Sequence, residues 1–364
     1  MKKLLAIALA AVLLASLFAA CGGVEGATAT APDTHQIDCG DLTMTPPPPR
    51  EFLSVIVPKW IDDYWSARQK QGGQQWAEDT GNKSMMVGSD KWEDIGNVAA
   101  QIQWIQDALI LYPDFLTVIP LDPDACEEVL AQAIKNGIIV TTQGAPDMQN
   151  IHYNIEPFDD VEFGAHFFEK AMDEIQKDKG KYACIVQSSS STRKWSQGLI
   201  DYQKTNHPEW ELVTGGPIEI EITDDWLANA FNEIYYTKTK ELLQEYPNID
   251  LLWGAYDSVT VAMGRAVNEL GLNDKVYVCG VSMSPSSTWG LFDGSINFVS
   301  FWDPFELQYV CNIVSNIVLD GMEVKLGDNL RRVGYNCVKS DGKVIKGNAW
   351  IDVTKDNFEQ YNFM

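Results

Sequence analysis

The sequence predicts an α/β protein of two Rossmann-like lobes, each with a parallel sheet. Along most of the chain, short apolar segments alternate with longer amphipathic ones. Apolar segments of this length, without alternating polar residues, are typical of parallel strands covered on both faces. Of the 364 residues, the part after Arg50 is longer than one hydrophobic core usually organises, so two lobes are expected.

The amino terminus has the pattern of an export signal. Lys2 and Lys3 precede an apolar run at 4–20, which is too short to favour a permanent membrane span. Small residues then precede Cys21, as at the site where bacterial lipoproteins are cleaved and lipid-modified. We expect a signal peptide at 1–20 and a lipid on Cys21. An ordinary signal peptide with an incidental cysteine is the alternative, and both place the mature protein outside the cytoplasm.

Residues 21–50 are predicted to form a linker. They are rich in Gly, Ala, Thr and Asp and end in four consecutive prolines at 46–49. Such a composition buries too little apolar surface to fold, and a proline run is extended. No later segment has the length and apolarity of a membrane span, so a lipid is expected to hold the rest at the membrane surface.

The elements are predicted from the change between the two kinds of segment. The strand candidates are short, apolar and rich in β-branched or aromatic residues. They lie at 52–58, 83–87, 115–121, 138–142, 182–187, 251–253, 276–280 and 297–301. The helix candidates are longer and amphipathic. They lie at 63–80, 92–111, 124–136, 161–177, 194–206, 226–246 and 258–270.

The alternation is interrupted at 144–160, where the first crossing between the lobes is expected.

The acidic charge excludes two classes of partner. The chain carries 51 acidic and 27 basic residues, with a net charge of −24 at pH 7. A strongly negative protein is not expected to bind nucleic acid or to dock electrostatically on anionic lipid. The balance says nothing specific about a small ligand.

No cofactor or metal ion is expected. No GxGxxG motif follows a first strand and no Walker A motif is present, so a nucleotide is not indicated. The six cysteines after Cys21 show no zinc-like spacing, and the chain has only four histidines. Cys184 and Cys279 fall in predicted strands, where a thiol behaves as a small apolar group. Their even number in an exported protein leaves disulfides open.

Candidate ligand-binding residues follow the strands, because open parallel sheets bind ligands beyond the carboxyl ends of their strands. In the first lobe, the candidates are Lys59, Trp60, Tyr64 and Trp65 after the first strand, and Gln143 after the fourth. Core packing is an equally good interpretation of Trp60 and Tyr64.

In the second lobe, the corresponding candidates are Arg193, Trp195, Asp257, Trp302 and Asp303. Capping of its own helix is the alternative for Asp257. Carboxylates accept hydrogen bonds from hydroxyls, Lys and Arg donate them, and indole rings cover apolar C–H faces. The set therefore indicates a small sugar or polyol as the ligand.

Four segments carry a family resemblance: IVPKW at 56–60, HPEWELV at 207–213, FWD at 301–303, and the ending at 353–363. They resemble the type I periplasmic binding proteins of ABC sugar importers, most closely the branch with the autoinducer-2 receptor and rhamnose-binding proteins. The resemblance covers nearly everything after Phe52. It implies that Lys59 is a binding lysine and that Trp65 covers the ligand.

The resemblance also implies that a three-strand hinge joins the lobes. Its crossings are expected near 154–157, near 282–285 or 301–304, and around 327–333. The first lobe would then comprise 51–155 with about 304–330. The second lobe would comprise 156–303 with about 331–364.

Departures from that branch bear on the ligand. Gly144 stands where the autoinducer-2 receptor has a binding aspartate, and Ser191 and Thr192 stand where it has an Asp-Gln pair. Asp257 instead aligns with the sugar-binding aspartate of ribose-type proteins. Each ligand hydroxyl left unpaired costs about 1–3 kcal/mol. A pentose, hexose or related polyol is therefore expected rather than autoinducer-2.

The resemblance implies a monomeric, non-enzymatic solute-binding lipoprotein that closes its lobes around the sugar and presents it to an ABC permease. It would lie at the outer face of the cytoplasmic membrane or in the periplasm. One alternative is an autoinducer-2 receptor or sensor of the same fold, which a kinase or chemoreceptor would read. Another is a secreted carbohydrate-active enzyme, which needs two carboxylates about 5–10 Å apart, and only Asp257 and Asp303 are placed for that.

Overall fold

A computed structural model describes residues 51–61, 64–221 and 231–361. The predicted signal peptide at 1–20, Cys21 and the linker at 21–50 lie outside the described residues. Within the described ranges, no helix combines the length and the apolarity that crossing a membrane requires.

Strands are numbered in chain order, and seven of them form the first sheet. They are β1 (Leu53–Val57), β2 (Lys83–Met86), β3 (Phe115–Val118), β4 (Ile139–Thr142), β5 (Tyr153–Glu156), β12 (Lys339–Asp341) and β13 (Val344–Lys346). Their order across the sheet is β12-β13-β5-β4-β3-β1-β2. All neighbours run parallel except β12 and β13, which form an antiparallel pair.

The second sheet also has a mostly parallel arrangement. Its strands are β6 (Gly180–Gln187), β7 (Trp210–Leu212), β8 (Ile218–Ile220), β9 (Leu251–Gly254), β10 (Tyr277–Val281), β11 (Phe298–Trp302) and β14 (Trp350–Thr354). Their order is β14-β11-β10-β9-β6-β7, and β8 pairs with the far end of β6. Only β14 runs antiparallel to its neighbour. The two parallel sheets confirm the predicted fold class.

Nine α-helices cover the sheets in the described part of the chain. With the first sheet lie α1 (Tyr64–Thr80), α2 (Val98–Ile110), α3 (Pro123–Lys135) and α9 (Pro304–Leu319). With the second lie α4 (Asp160–Ile175), α5 (Ser190–Asn206), α6 (Phe231–Glu245), α7 (Asp257–Glu269) and α8 (Ser284–Asp293). Two 3₁₀ helices lie at Trp92–Asp94 and Phe358–Tyr361.

Each sheet has an apolar core on both faces. In β3, Leu116 packs with α2 and α3, whereas the adjacent Phe115 packs with Trp76 of α1 on the other face. In β6, Cys184 and Ile185 divide in the same way between two clusters. Side chains alternate across a strand, so a continuous apolar run supplies both faces at once.

The predicted elements coincide with observed ones, and their ends shift by a few residues within the described ranges. Residue 63 and residues 226–230 of two predicted helices lie outside the described residues. The largest shift is in α2, predicted over 92–111 and found at Val98–Ile110. It begins there because the Asn97 side chain accepts a hydrogen bond from Ala100 N at 3.1 Å and so caps the helix. The elements that were not predicted are β5, β7, β8, β12, β13, β14, α8 and α9.

The chain passes between the sheets three times: after Glu156, after Trp302 and between β13 and β14. The second lobe was expected to take in residues from about 331 onward, after a crossing around 327–333. The structure differs, because Val344 and Lys346 of β13 pair with β5 and extend the first sheet. The last crossing therefore falls after Lys346, and only β14 returns to the second sheet.

Candidate functional site

An aromatic cluster connects the two lobes beside the crossings. The Trp302 ring, at the end of β11, meets the Trp65 ring of α1 edge-on, with centroids 4.9 Å apart. It also meets Trp195 of α5 at 6.1 Å and Phe158, in the first crossing, at 5.2 Å. Three of the predicted site residues, Trp65, Trp195 and Trp302, are thus brought together. Phe158 was not predicted because it follows a strand that the sequence did not reveal.

Close helix packing sets the positions of two of these rings. A Cβ atom on Gly164 of α4 would lie 1.8 Å from the Trp195 carbonyl oxygen, so only glycine allows α4 and α5 to approach so closely. In the first lobe, a Cβ on Gly72 of α1 would lie 2.2 Å from the Phe305 carbonyl oxygen of α9. This contact draws α1, which carries Trp65, against the helix that follows Trp302.

The Trp195 ring is oriented by a carboxylate. Its Nε1–H donates to Asp160 Oδ1 at 2.6 Å, and Lys194 Nζ lies 3.8 Å from Asp160 Oδ2. Burial raises the pKa of Asp160, while the Trp195 hydrogen bond and the Lys194 charge oppose that rise. Trp195 is itself buried. Its indole is therefore fixed before any ligand arrives.

Lys59 follows β1 at the carboxyl edge of the first sheet. Its side chain reaches solvent, yet the surrounding protein desolvates the amine and lowers its pKa. Among the described residues, no carboxylate forms an ion pair with it.

Trp60 and Tyr64, for which core packing was an equally good interpretation, differ in burial. Trp60 is half-buried, and its carbonyl oxygen accepts a hydrogen bond from the Ser66 hydroxyl at the start of α1. Tyr64 is 63% exposed at the first residue of α1. Trp60 is therefore part of the turn into α1, whereas the Tyr64 ring lies on the surface.

Gln143 and Asp303 are engaged by other protein groups. Gln143 is 5% exposed, and its Nε2 lies 3.4 Å from Gln308 Oε1. Asp303 accepts from Arg68 Nε at 2.9 Å and from Nη2 at 2.7 Å, and it caps α9 by accepting from Phe305 N. Arg68 was not among the predicted residues, although it lies one helical turn after Trp65, on the same face of α1.

Arg193 and Asp257 lie in the second lobe. Arg193 is exposed, and its Nε donates to Glu219 Oε2 at 2.9 Å. Asp257 accepts from the Ser282 hydroxyl at 2.7 Å and from Met283 N at 3.0 Å, so it contacts the end of β10 rather than capping α7. Burial raises the pKa of Asp257, and these two hydrogen bonds, with a third from the Ser286 side chain, oppose the rise.

Metal-binding groups are sparse in the described ranges. No group of three or more His, Cys, Asp and Glu side chains there is arranged to hold a metal ion. Four cysteines are free and buried, as the packing interpretation predicts: Cys126, Cys184, Cys279 and Cys311. Burial raises the pKa of Cys126 to about 11 and that of Cys311 to about 12, which keeps both thiols protonated. Cys337, in contrast, is disulfide-bonded.

The chain belongs to the family of periplasmic binding protein domains, because the family model matches residues 54–323. This confirms the resemblance that the sequence carried.

Solved structures share the fold over most of the chain. A sugar ABC transporter protein from Actinomyces odontolyticus has a TM-score of 0.71 and 19% identity, covering 86% of this chain and 98% of its own. LsrB from Clostridium saccharobutylicum, in complex with AI-2, has a TM-score of 0.66 and 19% identity, and the match covers 85% of this chain and 100% of LsrB. A carbohydrate transporter solute-binding protein from Agrobacterium radiobacter, in complex with D-arabinose, has a TM-score of 0.64 and 18% identity. That match covers 85% of this chain and 98% of the other protein.

Proposed function

We propose that the protein binds a small sugar or related polyol between its two lobes, outside the cytoplasm, and presents it to an ABC permease. The observation that carries this proposal is the aromatic cluster of Trp65, Trp195 and Trp302, which connects the lobes at the strand ends. Flat rings suit the apolar C–H faces of a sugar. The similar proteins from C. saccharobutylicum and A. radiobacter have AI-2 and D-arabinose bound.

Polar groups at the two sheet edges complement the rings. We assign Lys59 as a donor from the first lobe and Asp257 as an acceptor from the second, while Trp65 and Trp195 cover the ring faces. Lys59 has no carboxylate partner among the described residues, and Asp257 accepts only from neutral groups. Both therefore keep capacity for the hydroxyls of an uncharged ligand.

The other predicted residues have supporting roles in this proposal. Asp303 and Gln143 position the crossing and the first-lobe core through Arg68 and Gln308. Three further residues follow the strand ends and complete the predicted set: Trp60, Tyr64 and Arg193.

Closure would occur about the three crossings. Ion pairs already join the lobes there: Lys346 Nζ lies 2.7 Å from Asp159 Oδ2, and Lys339 Nζ lies 2.5 Å from Glu162 Oε1. A ligand that contacts both lobes favours the closed arrangement by its differential binding. The permease would distinguish the closed from the open form.

The cellular setting follows from the same proposal. A lipid on Cys21 would hold a monomeric protein at the outer face of the cytoplasmic membrane or in the periplasm, with no catalytic activity. An autoinducer-2 receptor or sensor is the second candidate, supported by the fold shared with LsrB in complex with AI-2.

A thermal-shift screen of the mature chain tests the function. The screen compares D-arabinose, L-rhamnose, D-tagatose and autoinducer-2. Binding is detectable in this way because a ligand at 100 times its dissociation constant adds about 2.7 kcal/mol of stability. We expect at least one sugar to raise the melting temperature, and both Trp65→Ala and Asp257→Asn to reduce that rise. Stabilisation by autoinducer-2 alone would favour the second candidate. Stabilisation by none of the four would contradict both.

A further inference from the structure

The end of β5 carries a carboxylate that the sequence did not single out. Glu156 is the last residue of β5, beside the first crossing, and its side chain is half-buried. Asn154 Nδ2 donates to Glu156 Oε1 at 2.6 Å, and the Gly144 N–H donates to the same carboxylate. Asn154 is itself held, because its Oδ1 accepts from the Thr142 hydroxyl and from Ala145 N, each at 3.0 Å. The carboxylate is thus fixed at the carboxyl edge of the first sheet.

Two cations near Glu156 pair with other carboxylates. In the described part of the chain, no Lys or Arg forms an ion pair with it: Lys194 pairs with Asp160, and Lys346 pairs with Asp159. The titratable groups on the elements packed against it are Asp160 on α4, Lys194 on α5, Cys311 on α9, Lys346 on β13 and Tyr335 before β12.

The Glu156 carboxylate has capacity for further donors. An ionised carboxylate offers about four acceptor positions, and the described donors are Asn154 and Gly144. Gly144 has no side chain, its φ is +67°, and no atom lies within 4 Å of where a Cβ would be. The space on the side-chain side of Gly144, whose N–H contacts Glu156, is therefore open.

We propose that Glu156 is a further ligand-binding residue, which accepts hydrogen bonds from two neighbouring hydroxyls of the bound sugar. This assignment rests on the proposed function and deepens it. With Asp257 in the second lobe, it gives each lobe a strand-end carboxylate that has no cationic partner among the described residues. A solute with a vicinal diol is therefore selected over a deoxy analogue that lacks one of the two hydroxyls.

Proton release should accompany binding. Burial raises the pKa of Glu156 to about 7, and Asp160 adds to that rise, whereas Asn154, Gly144 and Lys194 oppose it. Sugar hydroxyls donate to the ionised form and so lower this pKa in the complex. Affinity is then complete above about pH 7 and falls as the pH drops below that value, because the free protein must first lose a proton.

Calorimetric titration of the full mature chain tests the assignment. D-arabinose, L-rhamnose and D-tagatose are titrated at pH 6.0 and 8.0, in buffers of different ionisation enthalpy. For the wild type we expect weaker binding at pH 6.0 and net proton release. In Glu156→Gln, Oε1 still accepts from Asn154, so folding is retained. We expect its affinity at pH 8.0 to fall about tenfold, and its pH dependence and proton release to fall with it.

The controls separate the site from its surroundings. Glu78→Gln, at an exposed position of α1, should match the wild type at both pH values. Glu156→Asp keeps the negative charge on a side chain that is one carbon shorter. This variant should bind the sugar more weakly and still release a proton. It replaces Glu156→Gln as the test if the glutamine variant does not fold.

Two results would overturn the assignment in distinguishable ways. If the wild type binds a sugar and the Glu156 variants equal it in affinity and proton release, the assignment fails and the proposed function stands. If the wild type binds none of the three sugars, the proposed function fails and takes this assignment with it.

Discussion

The carboxylates at the crossings differ from those at the strand ends in their partners. At the crossings, Asp303 pairs with Arg68 through two hydrogen bonds, and Asp159 pairs with Lys346 at 2.7 Å. At the strand end, Asp257 accepts only from hydroxyls and a backbone N–H. A cation satisfies a half-buried charge and fixes the chain path, whereas neutral donors hold a carboxylate and leave part of its capacity open. The cation-paired carboxylates Asp303 and Asp159 therefore stabilise the crossings, whereas Asp257 has the environment that we propose for ligand recognition.

The same comparison explains why Asp303, a predicted site residue, is already paired with a protein cation. Asp303 follows its strand just as Asp257 does, so their sequence positions are equivalent. Their environments differ, because α1 presents Arg68 to Asp303 whereas the end of β10 presents neutral groups to Asp257. A strand-end position alone does not identify a ligand-binding carboxylate.

The largest effect is expected from Arg68→Ala. The substitution leaves Asp303, which is 9% exposed, without its cation. Breaking such a pair costs about 3 kcal/mol of unfolding free energy, which urea denaturation measures. Lys83→Ala is the matched control, since Lys83 and Glu51 form an exposed pair and should contribute less than about 1 kcal/mol. Equal losses in the two variants would remove the distinction between the crossings and the surface.

A smaller effect, on binding rather than stability, is expected from Asp257→Asn. The amide oxygen still accepts from Ser282 and Met283, so the unfolding free energy should change little. Loss of the ionised acceptor should weaken sugar binding by about 1–3 kcal/mol, as measured by calorimetry with the sugar found in the thermal-shift screen. A stability loss as large as that of Arg68→Ala would mean that the strand-end carboxylate is structural as well.

The smallest effect is expected from Lys346→Met. The Lys346–Asp159 pair is partly exposed, so its removal should cost about 0.2–1 kcal/mol of unfolding free energy. In the wild type, added salt should reproduce most of that loss, because exposed ion pairs are screened. If the variant retains the salt dependence of the wild type, the pair contributes nothing to joining the lobes at this crossing.

Much of the fold could be predicted because its signals are local. The eight predicted strands and seven predicted helices coincide with observed elements, since apolar runs and amphipathic periodicity are properties of contiguous residues. The strands missed in the first lobe are short: β5 has four residues, and β12 and β13 have three each. Strands so short carry little pattern, and β12 and β13 form only by pairing onto an existing sheet. The helix α9 was also missed, although it has 16 residues.

The candidate site was likewise predicted only in part. The aromatic residues Trp65, Trp195 and Trp302 were predicted from their places after strands, and the structure brings them together. Glu156 was missed because its strand was missed. Arg68 carried no signal beyond its spacing from Trp65, since its partner lies 235 residues later in the chain.

The sequence by itself determined the alternation of strands and helices, the two parallel sheets and the residues at most strand ends. Tertiary structure decided which strand-end carboxylates meet a cation, where the last crossing falls and that Glu156 lies beside Asn154 and Gly144. The physical reason is distance along the chain. Hydrophobic periodicity is local, whereas the partner of a buried charge is chosen by packing between elements far apart in sequence.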